Sequence, residues 1–127
     1  MKIAIIPARS GSKRIKNKNI KLFNGKPIIA WTIKTAIKSK LFDKIIVSTD
    51  SKKIAKIAKS FGAEVPFLRS KNISDDKTNV GDVIKDAIIF FKNKKIKINY
   101  VCLLYATAPL LEKKDLIKGY KLIKKSK

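Results

Sequence analysis

Apolar residues fall along this chain in two alternating rhythms. Unbroken runs rich in β-branched side chains occupy residues 2–7, 44–48 and 99–104, the pattern of strands buried on both faces. Residues 64–68 give a weaker strand signal, interrupted by Pro66, which has no amide for a ladder. Between these runs the spacing turns helical. Over 27–39, Ile29, Ile33, Ala36 and Ile37 share one face, and Pro27 suits the first turn. Over 52–61, Ile54, Ile57, Ala58 and Phe61 recur at i, i+3, i+4 and i+7, and Gly62 supplies a stop. Over 80–91, Val80, Val83, Ile84, Ala87, Ile88 and Phe91 form a stripe. A last amphipathic segment begins near Glu112 and runs to the end.

Alternating β and α segments predict βαβ crossovers: an α/β, Rossmann-like three-layer sandwich around a mostly parallel sheet. Ligands of such sheets sit beyond the carboxyl ends of the strands. That rule selects the loops 8–19, 49–51 and 105–109, where the residues of unusual chemistry cluster.

Composition narrows the possibilities. The 127 residues are 45% hydrophobic, enough for one domain with a real core spanning residues 1–127. No apolar run approaches a membrane span, and the opening run is too short for a secretory signal, so a cytoplasmic protein is expected. Cys102 is the only cysteine and histidine is absent. An internal disulfide, Cys/His zinc sites and His-dependent triads are therefore excluded. A metal here would be a hard cation held by carboxylates, phosphates and water. The net charge of +22 points superficially to nucleic acid. However, the lysines are scattered over every segment, arginine occurs only at Arg9, Arg14 and Arg69, and no face carries a basic stripe. Most lysines read as solvated surface, and no nucleic-acid or membrane partner is expected. Their field still attracts a triphosphate and an acidic sugar.

The first loop packs small residues beside cations: Ala8-Arg9-Ser10-Gly11-Ser12-Lys13-Arg14, then Lys18-Asn19. Ser10, Gly11 and Ser12 let backbone N–H groups approach phosphate oxygens as an anion-binding nest. Arg9 offers a planar fork, Lys13 and Lys18 mobile point charges, and Asn19 an amide for a base or ribose. The loop is neither a Walker A loop nor a GxGxxG turn. On composition alone, an ordinary polar loop with surface lysines remains open beside the phosphate cradle.

The string Ile6-Pro7-Ala8-Arg9-Ser10-Gly11-Ser12-Lys13-Arg14 with Lys18-Asn19 resembles the signature of acylneuraminate cytidylyltransferases, which usually carry Gly where Ser10 stands. The resemblance continues collinearly through Asn24-Gly25-Lys26-Pro27, residues 42–50, residues 62–69 and Leu103-Leu104-Tyr105-Ala106-Thr107-Ala108-Pro109-Leu110. The last segment looks most like pseudaminic acid cytidylyltransferases. Sialic acid enzymes tend to carry Gln-Pro-Thr-Ser-Pro there, and 3-deoxy-manno-octulosonate enzymes Gln-Gly-Asp-Glu-Pro. The resemblance implies transfer of CMP from CTP to the anomeric hydroxyl of an acidic nine-carbon sugar, with release of pyrophosphate. It implies that Ala8, Arg9, Ser10, Gly11, Ser12, Lys13, Lys18, Asn19, Arg69, Asp76 and Thr78 bind the nucleotide, with Arg9, Lys13 and Lys18 nearest the chemistry. Tyr105, Ala106 and Thr107 then lie on the substrate side. It also implies Mg²⁺ held by an Asp-x-Asp pattern, and a homodimer formed through the second half of a longer chain. No Asp-x-Asp occurs in these residues, so the expected metal ligands lie beyond this chain, which reads as the N-terminal portion of the full fold. A non-catalytic CTP-binding module is the alternative.

Several residues have plainer roles. Asp50 is expected to N-cap the helix that follows, with help from Ser51, and is also a candidate on the ligand side. Thr78 or Asn79 is expected to cap the helix at 80–91, Asp82 to suit its positive end, and Asp75 and Asp76 to serve in a turn. Trp31, Phe42, Phe61 and Cys102 read as core and Tyr100 as half-buried packing.

Overall fold

Ile3, Ala4, Ile5 and Ile6 have no solvent exposure at all, and that single strand organises the molecule. The computed structural model describes residues 1–10, 18–69, 80–108 and 111–125. Strand β1 (Lys2–Pro7) lies between two parallel neighbours, β4 (Lys44–Ser48) and β5 (Tyr100–Leu103), in the order β4-β1-β5. Ile5 stands opposite Ile46 on one side and Leu103 on the other. Side chains of a strand alternate faces, so β1 feeds two cores. Ala4, Ile6 and Ala8 pack with Ile29, Ile33 and Ala36 of α1 (Ile28–Ser39), Ile54 and Ala58 of α2 (Lys52–Ser60), and Leu116 of α4 (Lys113–Lys125). Ile3, Ile5 and Ile46 pack with Ala87 and Phe91 of α3 (Val80–Asn93). Helices on both faces of a parallel sheet make the expected three-layer sandwich. Each fully buried isoleucine contributes about 1.5–3 kcal/mol through burial.

The strands predicted at 2–7, 44–48 and 99–104 and the four predicted helices form within a residue or two of their expected limits among the described residues. The N-cap Ser51 Oγ accepts from Ile54 N at 3.2 Å, so Ser51 rather than Asp50 caps α2. Its other end closes as a Schellman motif: Gly62 N–H donates to Lys59 O and Ala63 N–H to Ala58 O, both at 3.1 Å. Gly62 has φ +102°, and a Cβ there would come within 2.8 Å of Ile37 Cδ1.

Some expectations are corrected. Residues 64–68 make two isolated parallel bridges to β4, Ile46 with Glu64 and Thr49 with Leu68, rather than a strand. Pro66 sits between them and cannot donate. Ile37 and Ile88 fall on the rims of their helical stripes and are exposed. Pro27 is the N-cap of α1, one residue before its first turn. Trp31 is half-buried rather than core. It stands edge-on to Phe23 and donates its Nε1–H to Phe23 O at 2.7 Å. That contact holds an unpredicted hairpin, β2 (Leu22–Phe23) with β3 (Lys26–Pro27). Its turn residues Asn24 and Gly25 both have positive φ, as a two-residue type I′ turn requires. Among the described residues no helix is long and apolar enough to cross a membrane.

Candidate functional site

The chain leaves β1 toward β4 on one side and later returns as β5 on the other. The carboxyl end of β1 is therefore a topological switch point, where the loops diverge and a crevice opens. A cleft of about 170 Å³ lies there, walled by Pro7 and Arg9 after β1, Lys18 and Asn19, Arg69, Val80 and Val83 of α3, and Tyr105, Ala106 and Thr107 after β5. The structure thus brings together Arg9, Lys18, Asn19, Arg69, Tyr105, Ala106 and Thr107, which come from three separated segments of the sequence.

Each wall is fixed by short-range chemistry. The amide of Ala8 donates to Ser48 O at 2.8 Å, carrying the β1–β4 ladder to the edge of the cleft. Ala8 itself is buried under α1 and α2 in the core. Ser10 is clamped to Asp50: its N–H donates to Oδ1 at 2.9 Å and its hydroxyl to Oδ2 at 3.0 Å. The Ser10 amide, expected to face a phosphate, is thus engaged by a carboxylate. Asn19, only 4% exposed, sits in the 3-10 turn Lys18–Ile20 and donates Nδ2–H to Arg9 O at 3.0 Å. Its amide holds the loop's two ends together. Gly11, Ser12, Lys13, Arg14, Asp75, Asp76, Lys77, Thr78, Asn79 and Pro109 lie outside the described residues.

Arg69 forms a buried wall of the cleft. Its amide donates to Thr49 O at 2.8 Å and its Nη2 to Ser48 O at 3.2 Å, leaving the residue 7% exposed. Burial, and secondarily the nearby charge of Arg9, pull the Arg69 guanidinium below its ordinary pKa; Asp50, and more weakly Asp86, oppose this. Two guanidiniums thus line one cleft, one of them desolvated, an arrangement suited to an anionic ligand.

On the opposite wall, Thr32 directs its hydroxyl at two carbonyls, Tyr105 O at 3.1 Å and Ala106 O at 3.3 Å. Thr35 reaches Leu111 O at 3.2 Å. Tyr105 remains 61% exposed while Ala106 is buried, so α1 pins the loop and the tyrosine ring projects from it. Sequence reasoning missed Thr32 and Thr35; the available signal was a threonine among the apolar residues of α1. It also missed the apolar wall of Val80 and Val83.

Among the described residues no three His, Cys, Asp or Glu side chains group closely enough to hold a metal ion. Asp50 accepts from Ser10 with both oxygens. The described residues do not fit a divalent cation, and the chemistry derived below uses none. Burial pushes the Cys102 thiol up, so it stays protonated and inert at neutral pH. Phe42 and Phe61 pack against the larger core, as expected.

This arrangement has relatives. The chain is 46% identical over 118 residues to a pseudaminic acid cytidylyltransferase of Campylobacter jejuni, covering 93% of this chain and 51% of that protein. It is 44% identical over 107 residues to a CMP-N,N'-diacetyllegionaminic acid synthase of Legionella pneumophila, covering 84% of this chain and 46% of that protein. The chain therefore spans about half the length of the curated relatives it matches. Among solved structures, a CMP:2-keto-3-deoxy-manno-octonic acid synthetase complexed with CTP superposes with a TM-score of 0.75 over 94% of this chain and 47% of its own, at 20% identity. That likeness speaks to the fold. The family model described as cytidylyltransferase matches residues 3–127. By that match and by its identity to curated relatives, the chain belongs to the cytidylyltransferase family.

Proposed function

We propose that this chain builds the nucleotide end of an enzyme that transfers CMP from CTP to the anomeric hydroxyl of a nine-carbon sugar acid, releasing pyrophosphate. The observation that carries the proposal is the convergence of Arg9, Lys18 and Arg69 on one cleft at the switch point of the sheet. Attack on an α-phosphorus requires in-line positioning and neutralised charge rather than a covalent intermediate. Arg9 supplies a planar fork for phosphate oxygens, Arg69 the charge of a guanidinium anchored on Ser48 O, and Lys18 an adjustable third charge. Charge that develops on the departing pyrophosphate meets cations already in place. Lys13 and the amides of Gly11 and Ser12 complete the cradle in this proposal, and Asp76 and Thr78 lie at the cytosine. The sugar enters over Tyr105, Ala106 and Thr107, and the Tyr-Ala-Thr-Ala-Pro sequence favours an acid of the pseudaminic type. Any Mg²⁺ used by the complete enzyme would be held by residues other than those described, and no step here is routed through it. The site of action is the cytoplasm, and the complete enzyme is a homodimer.

Calorimetric titration tests the first half of this reading. The chain should bind CTP in preference to ATP, and Arg9→Ala or Arg69→Ala should each weaken binding about 10- to 100-fold, the loss expected for a charged hydrogen bond. Tighter binding of a short single-stranded DNA, with a steep salt slope, would replace the proposal with one based on charge alone. Pyrophosphate release with CTP, Mg²⁺ and candidate sugar acids tests the second half. In a competent enzyme Arg9→Ala should cut the rate about 10²- to 10³-fold, whereas CTP binding without release would assign a binding module.

A further inference from the structure

Asp50 holds Ser10 at the edge of a cleft whose charged lining residues are Arg9, Lys18 and Arg69. It sits at the carboxyl end of β4, where Ser51 already caps the helix, so its position is not explained by capping. Both its oxygens accept from Ser10, one from the amide and one from the hydroxyl. Its charge favours the charged form of the buried Arg69 guanidinium, which Arg9 disfavours. A negative charge facing a triphosphate site repels the ligand, so the residue costs affinity unless it returns something else.

We propose that Asp50 is a positioning residue: it clamps the Ser10 end of the phosphate loop and serves as counter-charge to the arginine pair until nucleotide replaces it. The proposal rests on the nucleotide reading given above. The two roles separate by chemistry. Asparagine keeps an acceptor for the Ser10 amide through Oδ1, and its Nδ2 can donate to a reoriented Ser10 hydroxyl. It removes only the charge. Alanine removes the clamp as well.

Three measurements on the intact chain test this. Hydrogen exchange at the Ser10 amide of the nucleotide-free protein reads the clamp directly. It should accelerate about tenfold or more in Asp50→Ala, the loss of a charge-assisted hydrogen bond, and much less in Asp50→Asn. CTP titration reads the consequence. Asp50→Ala should bind roughly 10-fold or more weakly, because the loop is no longer held in register. Asp50→Asn should bind as well as the unmodified chain or a few-fold tighter, with any gain larger for CTP than for CMP and fading with salt. The melting temperature of each variant reads folding. If the Ser10 amide exchanges alike in all three proteins, the clamp is refuted whether or not CTP binds. If Asp50→Asn and Asp50→Ala lose CTP equally, the charge is needed and the counter-charge role is refuted. If the unmodified chain binds no CTP, the nucleotide reading fails, and the claim of Asp50 on nucleotide fails with it even where the exchange data show the clamp.

Discussion

One buried hydroxyl ties the loop after β5 to helix α1. Thr32 is fully buried and has one proton to share between the carbonyls of Tyr105 and Ala106. Thr32→Val keeps the shape and leaves those carbonyls without that donor, at a cost of about 1–3 kcal/mol for the unsatisfied acceptor. Urea unfolding should show a loss in that range; a loss within a few tenths of a kcal/mol of zero would mean that the loop is held by packing. The residue was illegible beforehand because its partners lie 73 and 74 positions away, and a threonine in a helical stripe carries no mark of a distant carbonyl. Arg9, Lys18 and Arg69 were legible for the opposite reason. Arg9 comes just after a buried strand, and a family likeness singled out all three. The distinct roles of Asp50 and Ser51 turned on a choice between neighbouring oxygens that spacing does not resolve.

Helix ends show what sequence spells and what it hides. Gly62 closes α2 as the stop its position announced, and Gly62→Ala combines a positive φ with a Cβ 2.8 Å from Ile37 Cδ1. Loss of about 1–2 kcal/mol is expected in urea unfolding, from left-handed strain and crowding together. The end of α3 is built the same way without glycine. Lys95 has φ +60°, its N–H donates to Lys92 O, and Ile96 N–H donates to Phe91 O. Lys95→Gly should therefore stabilise the chain, by up to about 1 kcal/mol. An unchanged or lowered urea midpoint would show that the freedom glycine adds to the unfolded chain outweighs the relief of strain. The strands were legible because β1, β4 and β5 read as continuous apolar runs, although only β1 and the end of β4 are fully buried and β5 is half-buried. Residues 64–68 carried a strand-like composition, but Pro66 limits them to two bridges. The hairpin at 22–27 was overlooked because its strands are two residues each and Leu22 is exposed, so it offers no hydrophobic alternation to find.

At the scale of the whole molecule, charge and apolar surface oppose each other. The net charge of +22 repels a second copy and draws a polyphosphate inward. Against it stands β5, the outer strand of the sheet among the described residues, beside a cleft of about 150 Å³ lined by Tyr100, Val101, Leu116 and Tyr120. Leu122 and Ile123 of α4 extend that surface, more than half exposed. An open strand edge next to apolar side chains invites association. Salt weakens the repulsion and leaves the apolar attraction. Raising the ionic strength from about 0.01 M to about 0.15 M shortens the screening length from roughly 30 Å to roughly 8 Å. Sedimentation over that range should show the average mass rising with salt, while CTP affinity in the same buffers falls about tenfold or more as the steering field is screened. The two trends must run in opposite directions if one field governs both. A mass that stays monomeric throughout would show that α4 covers the edge of the sheet well enough. A CTP affinity indifferent to salt would place the attraction in the close contacts of Arg9 and Arg69 rather than in the charge of the molecule.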